Sequence, residues 1–456
     1  MRDAISQYIL IPVGKTFSKR NYLRAKQYQK FLETSERGPI ENIKNFQNER
    51  INLMISHAYK NVPYYRNLFN ENKITPSDIQ CKEDLSKIPF LTKDLLVRNR
   101  ESLVAENAKR DEMRLISTGG TTGTPISFYR DWSSEYLVDG NNWRFFNYCG
   151  YQVGMKLSKL WGNESDLLNS YNLYGKLKGV MDNEVVLNFY DLSEASLSKY
   201  VNIIREKKPK FWKGFSSAVY TFVRYIRRNG HNIPKPKAVI ITSDKIDENQ
   251  REYLDDYFDG AVYNEYGCRE FSILGFECDK HNGIHIGMEN VTIEIDPDKK
   301  DENGYGDVVI TSLINWGMPF IRYRLGDSSR FILGDCACGR SLPRLESIRG
   351  RKSEFVITNE GKLIYGDFFA HLFYGSKGVE HYQVVQKEVG KVEIYIEPNE
   401  FYAEEEIINF IKTLKEMTND NLIAEVIKTE KIESHRSGKR RSVVSYISDD
   451  FMKEKF

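Results

Sequence analysis

The sequence predicts an α/β chain with more than one sheet, an α+β multi-sheet arrangement. A large N-terminal domain covers 1–350 and a small ββαβ C-terminal domain covers 351–456. Three observations predict this. Short apolar runs that end in turn residues alternate with helix-patterned stretches between 115 and 330. Val291, Ile293 and Ile295 alternate with Thr292 and Glu294, which adds antiparallel pieces. Beyond Gly350-Arg351-Lys352 the pattern changes to paired strands around a glycine, followed by one amphipathic helix.

Each element follows from its local pattern. Ile40, Ile43, Ile51, Leu53, Met54, Ile55 and Ala58 recur at mixed helical spacings over 40–60, and Pro63 is expected to end that helix. Ser193–Arg205 and Ser216–Arg228 read as helices between strands. Lys237–Thr242 is a continuous apolar run ending at Ser243-Asp244, as a buried strand feeding a loop would be. Ala261–Gly267, Asp307–Ile314 and Pro319–Arg324 read as further strands. In the C-terminal segment, Tyr382–Gln386 and Val392–Ile396 pair around Gly390. Ala403–Met417 is helical, and Leu422–Ile427 is a strand.

Composition excludes several classes. With 40% apolar and 29% charged residues the chain is neither disordered nor collagen-like. A formal net charge of +2 argues against a nucleic-acid partner, and the basic runs Lys207–Lys213 and Lys439–Arg441 are short. No apolar run approaches the roughly 18 residues needed to span a bilayer, so no transmembrane segment is expected and the cytoplasm is the expected location. Tyr8–Val13 reads either as a strip docked on the rest of the chain or as a peripheral membrane contact. Six cysteines are too few for a disulfide scaffold.

Two constellations carry chemistry. Ser117-Thr118-Gly119-Gly120-Thr121-Thr122-Gly123-Thr124-Pro125 combines glycines, which let a backbone approach a phosphate, with hydroxyls that donate to its oxygens. A solvated turn is the plainer alternative. It lacks the Gly-Lys-Ser/Thr ending of a Walker A loop. The second is Cys278-x-x-His281 followed by Cys336-x-Cys338. Three thiolates and an imidazole suit a structural, tetrahedral Zn²⁺ that would clip the insertion 278–338. Three buried free thiols beside a surface histidine are the plainer alternative, and His285 is a reserve ligand.

The Thr-rich segment resembles the phosphate loop of adenylate-forming enzymes, in the phenylacetate–coenzyme A ligase and CapK branch. Six further segments resemble that family in the same order: Val62-Pro63-Tyr64-Tyr65-Arg66, Ile88–Lys93, Asn264-Glu265-Tyr266-Gly267-Cys268-Arg269-Glu270, Arg322-Tyr323-Arg324-Leu325-Gly326-Asp327, Ile348-Arg349-Gly350-Arg351, and Arg436-Ser437-Gly438-Lys439. The resemblance implies an adenylate-forming N-terminal domain and a mobile C-terminal one. It implies a ligase that joins a small carboxylic acid to the α-phosphate of ATP, then passes the acyl group to coenzyme A (CoA) or to an amino sugar in capsule or surface polysaccharide synthesis. The phenylacetate-ligase-like reading takes CoA as acceptor. A catalytically inactive nucleotide-binding scaffold is the reading from another class.

By the same resemblance, Ser117, Thr118, Gly119, Gly120, Thr121, Thr122 and Gly123 hold ATP phosphates. Tyr266 and Gly267 lie at the adenine, Asp327 takes the ribose hydroxyls, and Arg351 assists near ribose or phosphate. Glu270 holds Mg²⁺, and Lys439 bridges the substrate carboxylate and the α-phosphate. Cys336-Ala337-Cys338-Gly339-Arg340 resembles the Cys-x-Cys-Gly-Arg of relatives in this branch, some of which hold structural zinc. Two positions depart from the pattern: Arg269 stands where the family has Thr, and Ser353 replaces the acidic hinge residue.

Overall fold

A computed structural model of the chain describes residues 22–117, 126–161, 183–188, 194–242, 246, 248–349, 355–360, 363–365, 369, 373, 376, 378–418, 420–432 and 443–447. The chain divides into two compact units, 1–243 with 258–348, and 244–257 with 349–456.

The first unit opens with α1 (Tyr22–Ser35), α2 (Ile40–Asn61), α3 (Pro63–Glu71) and α4 (Lys93–Arg98). The α2 stripe Ile43, Ile51, Met54, Ile55 and Ala58 is buried, as its spacing requires, whereas Leu53 points off that stripe and is exposed. Pro63 does more than stop this helix. Val62 is extended, and Pro63 opens α3 at its first turn, where a missing N–H costs no helical bond. Strands β1 (Met113–Ser117) and β2 (Ser127–Asp131) pair antiparallel, Ser117 opposite Ser127. Helix α5 (Trp132–Phe146) follows directly, N-capped by the Asp131 carboxylate, which accepts the Ser134 N–H at 2.7 Å. Gly140 lets α5 lie against α1, since a Cβ there would sit 2.8 Å from the Ala25 carbonyl oxygen.

The main sheet is built from β3 (Leu157–Trp161), β4 (Glu184–Asn188), β5 (Phe211–Phe215), β6 (Ala238–Thr242), β7 (Val262–Cys268), β8 (Ser272–Glu277) and β9 (Ile284–Ile286). Helices α6 (Glu194–Lys207) and α7 (Ser216–Arg228) supply crossovers, and α8 (Glu248–Phe258) follows β6. Next come β10 (Val291–Ile295), β11 (Gly306–Ser312), β12 (Tyr323–Ser329), β13 (Phe331–Ile332) and β14 (Arg344–Leu345). The nine-stranded order is β13-β14-β9-β8-β7-β6-β5-β3-β4. The five strands from β4 to β7 are parallel, and β8, β9, β14 and β13 extend them antiparallel. Strands β10-β11-β12 form a separate antiparallel sheet.

The run Pro319–Arg324, expected as a strand, becomes one only from Tyr323. Pro319 has no N–H for a ladder, and Arg322 takes φ +50°, off the strand conformation. The Arg322 N–H instead donates to Thr311 Oγ1 at 2.9 Å.

In the second unit, β15 (Phe355–Ile357) pairs with β16 (Leu363–Tyr365). Strands β17 (Val379–Glu388), β18 (Lys391–Pro398), β19 (Ile423–Lys428) and β20 (Val443–Ser445) form a sheet in the order β19-β18-β17-β20. Helix α9 (Glu404–Thr418) buries Ile407, Phe410 and Leu414 in the cluster that holds Val384, Ile394 and Ile396. Gly390 turns β17 into β18 at φ +74°, and a Cβ there would strike the Asn359 side chain.

Candidate functional site

Strand β7 carries Asn264-Glu265-Tyr266-Gly267-Cys268 to the end of the parallel strands, where doubly wound sheets bind ligands. Its pairing with β8 shifts register between Tyr266 and Gly267. Gly267 makes that possible, because a Cβ would lie 2.5 Å from the Ser272 carbonyl oxygen. Gly267→Ala is expected to cost about 1–3 kcal/mol through this clash, read as a lower Tm in thermal unfolding.

The register shift sets Tyr266 against the second sheet. Its hydroxyl donates to Asp327 Oδ2 on β12 at 3.0 Å. Two motif residues far apart in sequence therefore meet through one hydrogen bond. The buried Glu270 follows in the turn after β7. The Cys268 thiol is pushed well above its ordinary pKa, first by burial and then by the nearby Glu270 and Asp327 carboxylates. Both carboxylates thus face one small region, an arrangement suited to a polyhydroxylated or cation-bearing ligand. The Arg269 side chain is exposed.

Beside this region, Trp161 at the end of β3 stacks on Phe215 at the end of β5, with ring centroids 4.5 Å apart. Phe215 pairs with Thr242 and Thr242 with Glu265, which puts all three at one level of the sheet. Lys213 Nζ reaches both Glu265 oxygens at 2.8 and 2.5 Å, and Thr242 Oγ1 donates to Glu265 Oε1 at 3.2 Å. An aromatic ledge thus adjoins a largely buried ion pair. Phe145 and Trp212 are core residues.

The cysteine–histidine constellation forms, with one change of ligand. Cys278, His285, Cys336 and Cys338 bring their ligand atoms within 4.8 Å of one another. Cys278 Sγ lies 3.7 Å from Cys336 Sγ, and Cys338 Sγ lies 3.4 Å from His285 Nε2. A tetrahedron with Zn–S bonds of about 2.3 Å has S···S edges of about 3.8 Å and N···S edges of about 3.5 Å, so the donor set fits. His285 Nδ1 is 3.2 Å from the Leu342 carbonyl oxygen, which turns Nε2 toward the thiols. Burial pushes the His285 pKa down to about 4, leaving the imidazole neutral as a ligand must be. Burial raises the Cys278 thiol to about 12. For Cys338 burial acts upward too, but hydrogen bonds from the Arg340 backbone N–H and guanidinium, together with those from Cys336 and Cys278, outweigh it and hold that thiol below its ordinary value.

His281, the expected ligand, is not in this cluster. It lies in the turn after β8 at φ +48°, with Nδ1 3.5 Å from the Glu277 carboxylate and its ring against Tyr263. His285 sits on β9, opposite Phe276 of β8 and Arg344 of β14, which carries it between Cys278 and the Cys336–Cys338 knuckle. The knuckle also seats the α1–α2 turn. Arg340 Nε donates to Glu36 Oε1 at 2.8 Å, Arg37 Nη1 to the Cys338 carbonyl at 3.0 Å, and the Ser341 N–H to the Glu36 carbonyl at 2.8 Å.

Thr118, Gly119, Gly120, Thr121, Thr122, Gly123, Arg351 and Lys439 lie outside the described residues. Ser117 is the last residue of β1, and its side chain is likewise outside the description. Sequence reasoning missed Arg130 of β2, whose Nη2 donates to the carbonyls of Arg269 and Glu270 at 2.8 and 3.1 Å. It belongs to no motif, so no local signal marked it.

Residues 356–446 match the CapK C-terminal domain family. Among curated proteins, the chain is 26% identical over 394 residues to a phenylacetate-coenzyme A ligase of Thermus thermophilus, covering 83% of this chain and 86% of that one. It is 26% identical over 345 residues to a phenylacetate-coenzyme A ligase of Pseudomonas putida, covering 72% and 74%. Among solved structures, a 2-hydroxyisobutyryl-CoA ligase in the postadenylation state in complex with R3-HIB-AMP shares the fold, with TM-score 0.72, 17% identity, and coverage of 92% of this chain and 93% of that one. The ordered motifs, the C-terminal domain match and these likenesses agree: the chain is similar over most of its length to phenylacetate-coenzyme A ligases, and residues 356–446 match the CapK C-terminal domain.

Proposed function

We propose that the chain is an ATP-dependent carboxylate ligase. The acid's carboxylate attacks the α-phosphorus, the bond to pyrophosphate breaks, and an acyl-adenylate forms. The thiol of CoA then takes the acyl group and AMP leaves. The observation that carries this reading is the Tyr266–Asp327 hydrogen bond, which unites two family motifs beside Glu270. The phenylacetate-coenzyme A ligase relatives support CoA as acceptor.

In this reading Asp327 receives the two ribose hydroxyls, and Tyr266 orients that carboxylate while its ring borders the adenine. Ser117, Thr118, Gly119, Gly120, Thr121, Thr122 and Gly123 donate to the phosphates. Glu270 supplies a carboxylate to Mg²⁺, which neutralises phosphate charge when bound. Arg351 and Lys439 add cations, Lys439 where the acid meets the α-phosphate. The Trp161–Phe215 ledge suits an aromatic acyl group. Cys278, His285, Cys336 and Cys338 hold a structural Zn²⁺ with no open coordination position. The cytoplasm, where ATP and CoA are supplied, is the proposed location. Among the described residues, no helix is long and apolar enough to cross a membrane.

The test is ATP–pyrophosphate exchange with a panel of carboxylic acids led by arylacetic acids, followed by AMP release with CoA. Exchange with at least one acid is expected. ATP binding without exchange for any acid would favour the inactive-scaffold reading. Tyr266→Phe is expected to raise KM for MgATP about 3- to 10-fold, because the Asp327 carboxylate loses the donor that orients it but keeps its own contacts to the ribose, while KM for the acid stays constant. The amine of an amino sugar is the alternative acceptor. Product mass distinguishes a thioester from an amide.

A further inference from the structure

We infer that Arg130 is a positioning residue for the proposed reaction: it holds the turn that carries Glu270 against the β1–β2 hairpin. The inference rests on the ligase reading of this site.

Phe271 at the far end of the turn is held by its ring, which packs against Phe320 and Tyr323. The β7–β8 ladder ends at the pair Cys268–Ser272, so Arg269, Glu270 and Phe271 lie outside it. Ser272 re-enters the strand at φ +64°, and the register has already shifted at Tyr266/Gly267. The direction of the Glu270 side chain therefore depends on peptide planes that the sheet does not fix. Arg130 fixes them. Its Nη2 donates to the carbonyl oxygens of Arg269 at 2.8 Å and of Glu270 at 3.1 Å, across 139 and 140 residues of chain.

The other end of the brace is equally anchored. Arg130 pairs with Arg114 in the β1–β2 ladder. The next residue, Asp131, caps α5 through the Ser134 N–H and accepts the N–H groups of Trp316 and Gly317 at 2.8 and 3.1 Å. The Arg130 side chain is 9% exposed, and its nearest carboxylate, that of Glu135, is 3.8 Å away. That is a loose pair for a buried guanidinium. Burying such a charge is costly, and an apolar side chain would fill the space as well. What an apolar side chain cannot do is present rigid, directed N–H donors to two consecutive carbonyls. The hydrogen bonds of Arg130 go to backbone carbonyls, so its effect reaches the reaction through the turn that carries Glu270.

The test compares wild type, Arg130→Met and Arg130→Lys in the full chain. ATP–pyrophosphate exchange is measured against Mg²⁺, MgATP and acid concentrations with an acid that the wild type uses. Outer partners of metal ligands typically contribute 10- to 100-fold. Arg130→Met is therefore expected to raise the Mg²⁺ concentration for half-maximal exchange at least 10-fold, with KM for the acid changed less than twofold. Arg130→Lys, which keeps one directed donor, is expected to shift it about threefold. A residue that only supported folding would lower the active fraction and leave every half-saturation constant unchanged. Hydrogen exchange supplies a readout independent of activity: the amides of 269–272 are expected to exchange faster in both variants. Unchanged Mg²⁺ half-saturation, or unchanged protection of 269–272, overturns the role of Arg130 while the ligase reading stands. Wild type silent with every acid overturns the ligase reading and this role together. Should Arg130→Met fail to fold, Arg130→Lys decides by the same criteria.

Discussion

Lys439→Ala is expected to abolish ATP–pyrophosphate exchange while leaving ATP binding within a few-fold of wild type. The reaction brings a carboxylate anion onto a triphosphate, and negative charge concentrates around phosphorus as the bond forms. A cation placed at that point acts mainly on the transition state, so its removal should lower kcat far more than it raises KM for ATP. Removing one such preorganised donor usually costs 10²–10³-fold, about 3–4 kcal/mol. Lys439→Arg is expected to recover little, because a planar guanidinium does not replace a compact ammonium between two oxygens. Exchange kinetics with saturating acid, together with a titration of nucleotide binding, check both parts. Exchange at the wild-type rate in Lys439→Ala would remove this residue from the chemistry.

Protein purified without chelator is expected to contain one zinc per chain, and Cys336→Ser or His285→Ala to lose it. His281→Ala is the control and should keep it, because His281 stands outside the cluster. Metal at a thousandfold over its Kd adds about 4 kcal/mol to folding. At roughly 2 °C per kcal/mol for a domain of this size, stripping it should lower Tm by about 8 °C. The change should be felt first at the α1–α2 turn, which hangs on Arg340, Cys338 and Ser341 of the knuckle. Trypsin is then expected to cut after the exposed Arg37 faster in stripped protein than in loaded protein. Acid should mimic stripping. The ligands bind as thiolates, burial raises the free Cys278 thiol to about 12, and protons therefore compete more strongly as pH falls. The Tm gap between loaded and stripped protein should narrow from pH 8 to pH 6. Zinc retained by His285→Ala but lost from His281→Ala would reverse the ligand assignment.

Much of this protein is legible without coordinates. The α2 stripe, the apolar run of β6 and the alternation of β10 are local patterns, and each forms within a residue or two of where the pattern lies. Asp327, Tyr266 and Glu270 stand out because their neighbours form ordered motifs. Their pairing does not: the Tyr266–Asp327 bond joins different sheets, and it depends on a register shift that Gly267 allows. The run ending at Arg324 misleads because residues before Tyr323 bond to side chains and loops instead of a ladder.

Element types, the family resemblance and the residues able to carry charge are thus properties of the sequence by itself. Periodicity and residue chemistry are local and survive without neighbours. Tertiary structure alone decided which histidine joins three thiols and which arginine braces the Glu270 turn. Both outcomes turn on strand register and on backbone carbonyls brought together from distant parts of the chain. A spacing such as Cys-x-x-His says how far apart two residues lie along the backbone, whereas a ligand or a hydrogen bond answers only to distance in space.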